Sequence, residues 1–151
     1  MQLALAPTAL ALAAALAAPA DDPAPEADLA YHGRVTMTGG HVTIALTPQN
    51  HGPFDVPDAT VRLAWSSPLA DTQTLPDGCL RSAPRTVSCR TGALPAAAHG
   101  TPLTVRIRLA DTPSEVTVRI DTTWSGGPAD HNPDNDRHQV LVLDTGDTYY
   151  F

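Results

Sequence analysis

The clearest pattern in the chain is alternation of apolar and polar residues with period two, the signature of half-buried β-strands. Val42, Ile44 and Leu46 alternate with Thr43 and Ala45, and Pro48 is expected to end that run. Val61, Leu63 and Trp65 alternate with Arg62 and Ala64. From Leu103 to Leu109, residues Leu103, Val105, Ile107 and Leu109 face one way, and Thr104, Arg106 and Arg108 the other. Val116, Val118, Ile120, Thr122 and Trp124 repeat the pattern, with Thr117, Arg119 and Asp121 on the opposite parity. These last two segments flank Asp111-Thr112-Pro113-Ser114, a turn with Pro where φ is already suitable, and are expected to form a hairpin. Val140 to Leu143 is a continuous apolar run read as the last strand, and Leu29 to Met37 and Thr86 to Arg90 are shorter candidates.

Those segments amount to about seven strands separated by Gly, Pro, Asn and Asp clusters, the spacing of a sandwich. No stretch after the N-terminus shows helical periodicity, because Leu94 to Gly100 is Ala-rich but short and bounded by Pro and Gly. The expected fold is all-β, a single immunoglobulin-like antiparallel sandwich over 29–144, followed by a C-terminal tail, 145–151. The role of Tyr149-Tyr150-Phe151 in that tail is not legible.

Ahead of the strands, Met1 to Ala20 carries no charged side chain and contains the unbroken run Ala9 to Leu16. Ala18 and Ala20 flank Pro19 as at a signal-peptidase site, so 1–20 is expected to be a secretory signal peptide. A retained membrane anchor and a soluble helix are the alternatives; Pro7, Pro19 and the weak insertion tendency of Ala count against spanning. Residues 21–28, with Asp21, Asp22, Glu26, Asp28 and two Pro, are expected to be a flexible acidic tail.

Composition narrows the partners. The net charge is −7, from 16 acidic residues against nine basic ones, all Arg, which argues against nucleic acid. The absence of Lys beside abundant Ala, Arg and Pro points to a GC-rich bacterial genome. In an exported chain, Cys79 and Cys89 are expected to form a disulfide, stapling the loop after Pro76-Asp77-Gly78 to its sheet.

Three motifs in this order resemble a known family: Asn50-His51-Gly52-Pro53, then Leu75-Pro76-Asp77-Gly78-Cys79 with Val87 to Leu94, then Asp130-His131-Asn132-Pro133-Asp134-Asn135-Asp136. Together they resemble the conserved-repeat immunoglobulin-like domain of bacterial cell-surface proteins, the domain-of-unknown-function family numbered eleven. The resemblance covers about Leu29 to Asp144. It implies an extracellular spacer or adhesive module without catalytic residues or cofactor, whose partner is an extracellular protein or glycan. Such domains often occur in tandem, whereas one copy is present in this sequence, and no sorting signal follows Leu143.

Four further features carry candidate chemistry. Arg106, Arg108 and Arg119, with Arg62 if its strand is adjacent, form a candidate patch for an acidic glycan or protein, or simply a charged, solvated sheet face. Trp65 and Trp124, both on inward parity, are expected to anchor the core rather than to stack on sugar. The six His lack zinc-ligand spacing and are expected in exposed loops. Asp130, Asn132, Asp134 and Asp136 have the spacing of an oxygen-rich Ca²⁺ loop, but Asn135 replaces the customary Gly and Leu141 replaces the bidentate acid. A turn in which these side chains bond nearby backbone N–H groups is the expected arrangement, so no metal is expected there. No Ser lies in a nucleophile-elbow motif, and catalysis is not expected. The runner-up function is a small secreted ligand carrier or inhibitor on the same fold.

Overall fold

The computed structural model describes residues 24–151. The expected signal peptide, 1–20, and the start of the acidic segment lie outside the described residues.

The chain forms two antiparallel sheets packed face to face. The first has the order β11(His138–Leu143), β9(Glu115–Trp124), β4(Thr60–Trp65), β6(Thr86–Arg90), β5(Cys79–Ala83). The second has the order β12(Thr148–Tyr150), β2(Leu29–Thr38), β3(His41–Asn50), with β7(Ala98–His99) and β8(Leu103–Arg108) sharing the far edge of β3. At one end β1(Glu26–Ala27) pairs in parallel with β10(Ala129–Asp130). Alternate residues meet between the sheets: Tyr31, Val35, Met37, Val42 and Ile44 from one side, Val61, Leu63, Val87, Val118 and Ile120 from the other. Burying each such side chain is worth about 1.5–3 kcal/mol, so the alternation sets which face of every strand looks inward.

The expected hairpin does not form. β8 pairs with β3, from His41↔Arg108 to Leu46↔Leu103, whereas β9 pairs with β4 and β11 in the opposite sheet. The turn between them is an arch across the sandwich, pinned where the Leu109 N–H donates to the Gly40 carbonyl and the Ala110 N–H to Pro68. A Pro-containing turn suits either connection. An immunoglobulin-like sandwich requires the arch, because it places these two strands in different sheets.

Three other expectations change. β3 runs through Pro48 to Asn50: the Pro48 carbonyl accepts from the Gly100 N–H, so the missing Pro N–H falls at the gap between β7 and β8. The acidic segment is tied down from Glu26 onward, with Ala27 buried and the Ala129 N–H donating to the Pro25 carbonyl. The tail 145–151 contains a strand as well. Thr148–Tyr150 pairs with Arg34–Thr36, and Phe151 exchanges two backbone hydrogen bonds with Gly33. Gly33 is required there, since a Cβ would strike the Ala45 carbonyl and the Phe151 ring. Tyr149 and Phe151 pack on the core and Tyr150 faces out, which accounts for the aromatic ending.

The disulfide Cys79–Cys89 is present. Rather than stapling a loop, it joins directly opposed residues of neighbouring strands β5 and β6. It fits an oxidising, non-cytoplasmic compartment. Among the described residues no helix is long and apolar enough to cross a membrane. Reducing the bridge should destabilise the protein by about 2.5–3 kcal/mol, the loop-closure value for this separation. Urea unfolding with and without reductant measures it; an unchanged midpoint would show that the hairpin holds without the bond.

Candidate functional site

Because β8 and β9 lie in opposite sheets, the four arginines of the candidate patch are split between two outer faces. On the first sheet one is paired with a carboxylate and the other with a neutral amide. Arg62 holds Asp121 in a two-bond fork, Nε to Oδ1 at 2.9 Å and a terminal nitrogen to Oδ2 at 2.5 Å, and Arg119 Nε donates to Gln139 Oε1 at 3.0 Å. Such forks fix geometry, and the fork leaves Arg62 committed.

On the second sheet the cations are not answered. The outward residues of β2 are His32, Arg34, Thr36 and Thr38; those of β8 are Thr104, Arg106 and Arg108; none of these, nor any outward residue of β3 or β12, is a carboxylate. Register places His41 opposite Arg108 and Thr43 opposite Arg106. Among the described residues Arg34, Arg106 and Arg108 make no ion pair, although the chain carries 16 acidic residues.

A cleft of about 490 Å³ borders this face, between Thr72–Pro76 and Thr104–Arg108. Its wall is built by Gln73, whose amide imitates a neighbouring strand. Nε2 donates to the Arg108 carbonyl at 2.7 Å, and the Arg108 N–H donates to Oε1 at 3.0 Å. This covers the free backbone edge of β8 while leaving the guanidinium groups outward. Arg106 and Arg108 therefore share one outer face with Arg34 and His41, which the sequence pattern does not group with them, while Arg62 and Arg119 lie on the other sheet. The outward parity of Arg34 and His41 was the available signal.

The end of the sandwich near β1 and β10 is a polar knot. Asn50, fully buried, uses both amide hydrogens and its oxygen: Nδ2 donates to the carbonyls of Phe54 and Leu94, and Oδ1 accepts from Gly52 at 3.0 Å and Asp28 at 3.3 Å. Gly52 is needed because a Cβ would strike the Ala27–Asp28 backbone. The Asp28 carboxylate in turn accepts from Asn135 Nδ2 at 2.7 Å.

In the 130–136 loop, Asp130 Oδ1 accepts from the Asn132 N–H at 2.9 Å and Oδ2 from the Leu29 N–H at 2.9 Å. The first bond is the expected local side-chain-to-backbone turn; the second reaches a distant strand, and the Asn132 and Asn135 side chains turn instead to the Asp28 carboxylate. Among the described residues no group of three or more His, Cys, Asp or Glu is placed to hold a metal. Asp136, however, is not in a solvated loop: it is 4% exposed, and its Oδ1 has no hydrogen-bond partner. Burial pushes its carboxyl above the usual range, while the Thr122 hydroxyl and Arg137 draw it partly back. The Thr122 hydroxyl also meets the buried Tyr31 hydroxyl at 2.7 Å, and burial raises that phenol too.

Two expectations about aromatics and His need correction. Trp65 is buried as expected, but Trp124 is 52% exposed. A bulge is the cause: Val61 pairs with Thr122 and Thr60 with Trp124, so the extra Thr123 ends the inward alternation. Of the His, 32, 41, 99 and 138 lie in strands rather than loops, and His138 is half-buried against the Phe151 ring, 5.2 Å between centroids.

Because the folded protein holds the Asp136 carboxyl above its ordinary value, stability is lost as pH rises through the carboxylate range. Asp136→Asn should therefore raise the melting temperature by a few degrees at neutral pH, and the gap should close in acid, below about pH 4. A lower melting temperature at neutral pH would show that the charge is compensated. The chain matches no family model, no curated protein and no solved structure.

Proposed function

We propose that the protein is a secreted, non-catalytic immunoglobulin-like interaction module that binds an acidic glycan on the outer face of its second sheet. This keeps the role implied by the resemblance to the conserved-repeat domains of bacterial surface proteins and gives it a contact surface. The observation that carries it is the unpaired set Arg34, Arg106 and Arg108, with His32 and His41, on a face without carboxylates in a chain of net charge −7. A merely solvated face needs charge of either sign, and the first sheet shows such a mixture, with Glu115 and Asp121 on the same strand as Arg119. Segregated cations instead lower the cost of approach for an anion despite the acidic chain as a whole. Arg is suited to the task, since its planar fork meets sulfate or carboxylate with two hydrogen bonds. A ligand carrier is the second reading, favoured by the exposed Trp124 beside a polar depression.

A heparin-derived hexasaccharide serves as the probe, with binding followed by calorimetry at low and moderate salt. Arg106→Ser/Arg108→Ser should weaken binding about tenfold or more and flatten its salt dependence. Arg62→Ser/Arg119→Ser should leave affinity within about twofold, because both groups lie on the other sheet, where carboxylates also stand. Equal loss in both double variants, or no binding by the unaltered protein at low salt, would defeat the proposal.

A further inference from the structure

We propose that β11, an edge strand of the first sheet, is the contact through which two copies of this chain pair antiparallel about a two-fold axis at Leu141. The inference does not rest on the anion-binding reading, whose surface belongs to the other sheet.

β11 pairs with β9 alone, so its other edge has no neighbouring strand among the described residues. The Asp144 N–H donates to the Ser114 carbonyl, which continues the register of that pair. Alternate residues therefore bond β9, and the N–H and C=O groups of Gln139, Leu141 and Leu143 point to the open side. Exposed edges are ordinarily blunted by charge, shortness, a bulge or a covering group. The other edges have such protection. β12 and β7 span three and two residues, and β5 carries Arg81 and a register shift. β8 carries Arg106 and Arg108, with Gln73 over its end. β11 instead has six residues in unbroken register and no Asp, Glu, Lys or Arg, with Leu141 and Leu143 52% and 38% exposed on its outer side.

A second copy fits this edge because the row matches itself. With Leu141 facing its own counterpart, Gln139 of each copy faces Leu143 of the other, and all three open residues exchange backbone hydrogen bonds. Sliding the pair by two residues either way leaves one of the three without a partner in β11. Charges on β9 agree with this register. Glu115 lies beside Leu143 and Arg119 beside Gln139, so each row across the seam runs Glu115, Leu143, Gln139, Arg119, the last two from the other copy. Arg119 already leans toward the edge, its Nε on Gln139 Oε1 at 3.0 Å, and Glu115 makes no ion pair among the described residues. The two-fold thus sets opposite charges toward each other at both ends of the seam and leucines at its centre. Pairing β8 with its own copy would instead bring arginines together. Because opposed side chains of an antiparallel pair share a side, both second sheets then lie on one side of the dimer.

Sedimentation equilibrium of the protein, from about 5 µM to about 500 µM, should show a reversible monomer–dimer equilibrium with a dissociation constant of about 100 µM or below. No larger species should form, because the two-fold consumes both edges. Leu141→Lys should weaken the dimer about tenfold or more by placing two ammonium groups at the axis. Its circular dichroism and melting temperature should stay unchanged, since that side chain is outside the core. Arg119→Glu should weaken the dimer about threefold, and Glu115→Arg/Arg119→Glu should recover most of that loss, a response that only facing charges give. A chain that stays monomeric to about 500 µM would overturn the proposal. So would a dimer undiminished by Leu141→Lys, or a charge exchange without recovery.

Discussion

Two strands with matching apolar rows bury those rows in one core from opposite sides, and this placement arranges most of the molecule. β8 and β9 are adjacent in sequence and alike in pattern, yet the arch at 109–114 sends them to different sheets. Period two then dictates the outward residues of each. Arg106 and Arg108 leave from one face beside His41, while Arg119 leaves from the other and Arg62 finds Asp121 next to it. The split between a face of mixed charge and one carrying only cations follows from this topology, not from the arginine content.

Local signals in the sequence report faces well and neighbours badly. The inward residues of β3, β4 and β8 are legible from alternation because burial of each alternate side chain is a local property of the strand. Strand partners are not, because the Asp111 to Ser114 turn is compatible with a hairpin or an arch. Trp124 shows a related limit: one extra residue, Thr123, reverses the parity, and a bulge leaves no mark in the alternation ahead of it. The ordering of Glu26–Ala27 and of Thr148–Tyr150 was hidden for another reason. Both segments are held by backbone bonds to distant residues and are too short for an alternating pattern to show.

The polar end of the sandwich behaves as one unit. Asn50 ties the end of β3 to the 51–54 turn, to Leu94 and to Asp28, and Asp28 reaches on to Asn135. Removing any member exposes a buried donor or acceptor elsewhere, so these residues act cooperatively. This explains why the Asn50 to Pro53 and Asp130 to Asp136 motifs stand out together in the sequence although 80 residues separate their first members. Tight satisfaction also isolates the exception: within this network Asp136 Oδ1 and Asn135 Oδ1 are left without partners.

The account rests on β8 and β9 lying in opposite sheets, with the β8 face rather than the β9 face meeting an anion. Amide NMR of the isotope-labelled protein during addition of the sulfated hexasaccharide addresses both parts at once. Cross-strand contacts should link Val105 to Ile44 and Val118 to Trp65, and shifts should move at Arg34, His41, Arg106 and Arg108 while those at Arg62 and Arg119 stay still. Direct contacts between paired backbones of β8 and β9, or shifts concentrated at Arg62 and Arg119, would contradict it.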